Sequence, residues 1–215
     1  AGVVTGVSSL TVSGEASVTT LDIGGTDVTA TAAELNVLDG SLKENNSIWI
    51  GNDPASTTDT AQKNIAVGTT ALDAITTGDN NVAIGHNALT DNTSGEANTA
   101  IGFGSLAAHT TGIHNTAIGT YSLTTVTTGI RNTAIGSGSG NNLPGSTSNT
   151  TLVGYNCNAS NYQTYNEIVI GADATGLGGN KAVIGNSQIT DLYAAQDGDA
   201  WVYGKGFLHM SDRRV

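Results

Sequence analysis

The side chains best able to do chemistry here are few: four histidines, one cysteine and 18 carboxylates in 215 residues. His86, His109 and His114 lie close together, and one histidine from each of three copies could hold a transition metal on a symmetry axis. Their placement argues against it. They stand one, seven and twelve residues after glycines that mark a repeat, so they share no column. The carboxylates Asp73, Asp79, Asp91 and Glu96 could serve a glycosidase only if two of them faced each other across a sugar. They fall mainly in segments that read as corners, and one chain shows no facing pair. The single Cys157 excludes an intrachain disulfide and a cysteine-based zinc site. No Ser/His/Asp set, phosphate loop or dinucleotide loop occurs, because the GG and GSGSG runs follow no strand–helix pattern. The expectation is a non-enzyme with no metal and no cofactor.

What would position these groups is a repeat. A glycine closes each short apolar run at Gly51, Gly68, Gly85, Gly102, Gly119 and Gly136, every step being 17 residues. The series continues at Gly154, Gly171 and Gly185, with steps of 18, 17 and 14. Asparagines open the runs at Asn64, Asn81, Asn98, Asn115, Asn132, Asn149, Asn166 and Asn180. Leu72, Leu89, Leu106 and Leu123 form a third column, and Gly78, Gly95, Gly112 and Gly129 a fourth. Self-similarity at a fixed period marks a solenoid.

Composition agrees with an extended polar protein rather than an ordinary globule. Charged residues make up 12%, aromatic residues 5%, and there are 29 glycines. The net charge of −11 argues against a nucleic-acid partner, since little here could neutralise phosphates. No signal peptide or apolar run of membrane length is evident, so membrane insertion is not expected. The chain begins with Ala, which suggests a processed or partial polypeptide.

Within N-T-A-I-G, β-compatible residues lead to a terminating glycine, and YSLTTVTTG sets Leu and Val among Thr before another. Each repeat therefore reads as two short strands and two corners, one coil of a β-solenoid. Asn would stack as an amide ladder, and Gly would supply corners with positive φ. Ala and Ile would fill a thin interior. So thin a core barely offsets the ordering cost of each coil. Three copies packed through the Leu or Val column would add the missing burial, which predicts a homotrimer. The fold class is thus all-β, a trimeric β-solenoid or β-roll fibre with 17-residue coils. The expected segments are a fibrous β region over 1–28, a short helical connector over 29–40 and the solenoid over 41–186. A C-terminal β segment over 187–210 and a further start at 211–215 complete the chain. In the connector, Thr31-Ala32-Ala33-Glu34 spells a capping box and Gly40 a stop.

The pattern NxAIGxxSL resembles the head repeats of YadA-type trimeric autotransporter adhesins. That resemblance implies left-handed trimeric β-rolls whose coils have the length of the final, 14-residue step here. The TAAELNVLDG segment is similar to connecting motifs of phage tail fibres, especially of marine and cyanobacterial phages. The closing SDRRV resembles the opening of the self-cleaving intramolecular chaperone domain at the end of many tail fibres and tailspikes. By that resemblance the scission would fall between Ser211 and Asp212, although the chaperone body is absent.

These features lead to a structural and receptor-binding segment of a phage tail fibre, on the virion and extracellular. Its expected partners are two further copies, other tail or baseplate proteins and a host cell-surface receptor, with a glycan as the expected class. The alternative is the head of a bacterial trimeric adhesin, and a glycan depolymerase is a third class. Receptor contacts are expected where the repeat falters. Those places are Gly138 to Ser148, the coil around Cys157, and the terminus bearing Tyr193, Trp201, Tyr203 and Phe207.

Overall fold

A computed structural model describes residues 21–23, 26–28, 47–50, 60–160 and 165–189. The chain divides into two compact units, Ala1–Leu42 and Lys43–Val215. In the first, β1 (Leu21–Ile23) and β2 (Thr26–Val28) pair antiparallel, Leu21 opposite Val28 and Ile23 opposite Thr26. The Gly-Gly pair between them is a hairpin signal in the sequence. The connector expected over 29–40 lies outside the described residues. So do Gly51, the C-terminal aromatics and the Ser211–Asp212 junction.

The second unit is a β-solenoid. Nine strands form one parallel sheet in strict chain order: β3 (Ile48–Ile50), β4 (Ile65–Val67), β5 (Val82–Ile84), β6 (Thr99–Ile101), β7 (Thr116–Ile118), β8 (Thr133–Ile135), β9 (Ser148–Val153), β10 (Tyr165–Ile170) and β11 (Ala182–Ile184). At about 4.8 Å per strand the stack is roughly 40 Å high. The register repeats from coil to coil: Ala66 faces Ala83, then Ala100, Ala117 and Ala134. No helix occurs among the described residues.

Each regular coil holds one three-residue strand, not two. The segment expected as a second strand is a series of turns. Leu72, Leu89, Leu106 and Leu123 have φ of 50–52°, in the left-handed region. That breaks any extended run and points the leucine inward, and the next turn closes as Ile75, His109 and Val126 bond back to Leu72, Leu106 and Leu123. A left-handed leucine costs on the order of 1–2 kcal/mol. Burying its side chain returns about 1.5–3 kcal/mol, so burial wins. The turns are still bonded coil to coil: Thr76 N–H donates to Thr93 O at 2.9 Å and Thr110 N–H to Thr127 O at 2.8 Å.

The interior differs from expectation in a second way. The middle residue of each strand points in (Trp49, the five alanines, Leu152, Val169), while the flanking isoleucines point out. The Leu column, expected between chains, is fully buried inside the coil with Ile75 and Val126. Strand alternation decides this: with Ala inside, the residues on either side must face outward.

The closing glycines hold the corners. Gly68, Gly85, Gly102, Gly119 and Gly136 share φ of 132–133°. A Cβ on Gly119 would lie 2.5 Å from the carbonyl of Gly136 in the next coil, so glycine is the only residue that fits. The 18-residue step leaves the strands in register, with Ala134 opposite Leu152. Leu143 keeps the 17-residue spacing from Val126, whereas Thr127 pairs with Gly145, 18 residues on. Pro144 is therefore the added residue, placed in a corner.

Candidate functional site

The asparagine column is a buried hydrogen-bonded ladder over part of its length. Asn81, Asn98, Asn115 and Asn132 each donate the backbone N–H and the Nδ2 amide to the Oδ1 of the preceding asparagine, at 2.8–3.2 Å. The second Nδ2 hydrogen goes to the carbonyl of the residue closing the opposite side of the coil, as from Asn98 to Gly112 at 2.9 Å. Ser47 starts the ladder, accepting from Asn64 N–H at 2.9 Å. Every oxygen and hydrogen of the regular amides is used, which is what burial of an amide requires.

Asn149, Asn166 and Asn180 are not in that ladder. They occupy the position before it, with φ of 56–61°, exposed to solvent and equivalent to Lys63, Asn80, Ala97, His114 and Arg131. The extra residue at Pro144 explains the slip: asparagines kept a step of 17 where the strands moved by 18. Thr150 and Glu167 take the vacated ladder positions, both buried. Thr150 N–H donates to Asn132 Oδ1 at 3.1 Å. The Glu167 carboxylate accepts from the N–H groups of Ser160 and Gly178, at 3.2 and 2.9 Å. Asn166 Nδ2 bonds Asn180 Oδ1 at 2.9 Å as an exposed pair.

The groups with chemical potential are dispersed. His109 is buried in the column that holds Ile75, Asn92 and Val126 elsewhere. Its Nδ1–H donates to Val126 O at 3.2 Å, and Nε2 faces the Asn115 amide at 3.4 Å. Burial holds its pKa below 6.5, partly offset by bonds to the Gly112 and Val126 backbone. His86 and His114 are exposed. Cys157 is buried in the slot that holds Ala71, Ala88, Ser105, Ser122 and Ser139. Burial raises its thiol to about 11, and Sγ lies 3.2 Å from Val169 O. No group of three or more His, Cys, Asp or Glu is placed to hold a metal among the described residues. No described helix is long and apolar enough to cross a membrane.

Two surfaces escaped the sequence reading. The first is the outer face of the sheet. Ile50, Ile84, Ile118, Ile135, Ile170 and Ile184, all just before the closing glycines, are 36–54% exposed, and Val67, Ile101 and Val153 continue the stripe half-buried. Strand alternation around the buried alanines could have located it. The second is a set of rings just after the glycines. His86 and Phe103 stack with centroids 5.2 Å apart and planes 6° from parallel. Phe103 meets Tyr121 edge to face at 5.2 Å and 80°. Aligning the repeats would have shown these aromatics in slots that most other coils fill with small or polar residues. No protein-family model, curated protein or solved structure matches the chain.

Proposed function

We propose that the chain is a structural and receptor-binding segment of a homotrimeric phage tail fibre, without catalytic activity, that attaches the virion to a host surface. The observation that carries this reading is the outward isoleucine–valine stripe, continuous over nine strands. An apolar stripe of that length is unusual on a monomer and marks an association surface. Its coil-by-coil spacing is matched along the whole length by a second copy of the same repeat. Three copies also supply the burial that a single thin coil lacks, and multivalent display then strengthens weak single-site attachment.

Sedimentation equilibrium of the purified full chain tests the assembly. The trimer has a mass of about 65 kDa, three times 21.6 kDa, and a stable monomer rejects it. Saturable binding to bacterial cells that competes with phage adsorption supports the attachment role, and absence of competition rejects it. Antibody labelling on a bacterial surface instead of a phage tail would favour the trimeric adhesin head suggested by the NxAIGxxSL pattern.

A further inference from the structure

We propose that the corner formed by His86, Phe103 and Tyr121 is a glycan-binding platform that stacks against the C–H faces of pyranose rings. The site deepens the attachment reading and rests on it for the source of the glycan, a bacterial surface, but not for binding itself.

The fold does not require these rings. The slot after the closing glycine holds Thr69, Thr120, Ser137 and Ala172 in four other coils and a ring again only at Tyr155, and the next slot holds Thr70, Asn87, Gly104, Gly138, Asn156 and Asp173. The rings are nevertheless placed on three successive coils and left open: Phe103 is 43% and Tyr121 48% exposed.

The second of these slots is left-handed in every coil, from Thr70 and Asn87 to Asn156 and Asp173. Tyr121 has φ of 55°, where the equivalent residues are mostly Gly, Asn or Asp. A bulky residue is uncommon in that region, so the backbone gives no reason of its own for an aromatic here. Gly104 completes the arrangement. A Cβ there would come within 2.9 Å of the Tyr121 ring, so this glycine makes room for it. Small hydroxyls border the rings, with Thr120 beside Tyr121 and Ser137 on the next coil, and Tyr155 stands on the same corner one coil further, 63% exposed.

Aromatic faces rimmed by small hydroxyls suit a sugar, whose ring has an apolar face and a polar edge. A pyranose unit is about as long as one coil is tall, ~4.8 Å, so successive units can follow successive rings. The net charge of −11 disfavours a nucleic acid as the stacked partner. A second copy of this chain fits less well. The rings interrupt the repeat, whereas the isoleucine stripe, which suits a copy, follows it.

The test uses the full chain on an array of immobilised gluco-, galacto-, manno- and N-acetylglucosamine oligosaccharides. Binding to at least one probe is expected. The variants Phe103→Thr and Tyr121→Asn carry residues found in the same slots of other coils, so they keep the coil while removing the platform. Each should raise the dissociation constant at least tenfold, with circular dichroism and melting temperature unchanged. Leu177→Asn, which removes an exposed apolar side chain elsewhere, should leave binding intact. Wild-type protein that binds no probe overturns the proposal, as does equal binding by both corner variants. Loss of the trimer in the corner variants also overturns it, assigning the rings to a subunit contact. Glycan binding by a monomer, in contrast, would leave the platform standing while the fibre reading fails.

Discussion

Asn98 shows how much rests on one amide. Its Oδ1 accepts two bonds from Asn115, and its Nδ2 serves Asn81 Oδ1 and Gly112 O. Asn98→Ala strands a buried N–H and a buried carbonyl, each worth about 1–3 kcal/mol. Chemical denaturation should show a loss of about 3 kcal/mol. Asn149→Ala, at an exposed left-handed position, should cost no more than about 1–2 kcal/mol. The sequence made the two residues look equivalent, because a side chain's letter does not reveal which of two neighbouring slots it fills after an insertion. His109 gives a pH prediction. Its folded pKa lies below the unfolded 6.5, so the unfolded chain binds the proton first as pH falls. Stability is therefore full above 6.5 and is lost as pH drops towards the lowered folded value. Melting temperature should fall as pH is lowered through 6.5 towards the lowered folded value. His109→Asn, matching Asn92 in the same column, should flatten that dependence.

At the scale of the coil, strand and corner tolerate change differently. The strand alternates Ala in and Ile out over three residues, so a one-residue slip exchanges them. Inserting Ala after Thr116 should cost at least about 3 kcal/mol through overpacking and exposure. Inserting a Gly between Leu143 and Pro144, where the chain already absorbs an extra residue, should cost about 0.5 kcal/mol or less. Thermal and denaturant melts of the two variants give the comparison. The period, the strand position and the closing glycines were legible because each column repeats. The second half of the coil was misread: in YSLTTVTTG the buried Leu123 and Val126 are three residues apart, a turn spacing rather than strand alternation. The decisive feature, a left-handed leucine, has no sequence signature, since leucine seldom adopts it.

For the whole molecule, the test of association is the outward stripe. Glu at both Ile118 and Ile135 places two carboxylates on the face proposed to join the copies, while both positions are already exposed in the single coil. The double variant should sediment as a monomer and retain its β circular dichroism. An unchanged trimer would place the subunit contact elsewhere. The stripe was hidden in the sequence because NTAIG states a hydrophobic pair without stating which member faces in. Another consequence follows from the bonds that step from each coil to the next around its circumference. Tension applied along the stack loads these rungs one coil at a time instead of shearing a whole interface. A coil of 17 residues spans about 58 Å once extended, against the ~4.8 Å it occupied. An overloaded single stack would therefore peel from its end in even, repeatable lengths and act as a shock absorber while the remaining coils stay folded.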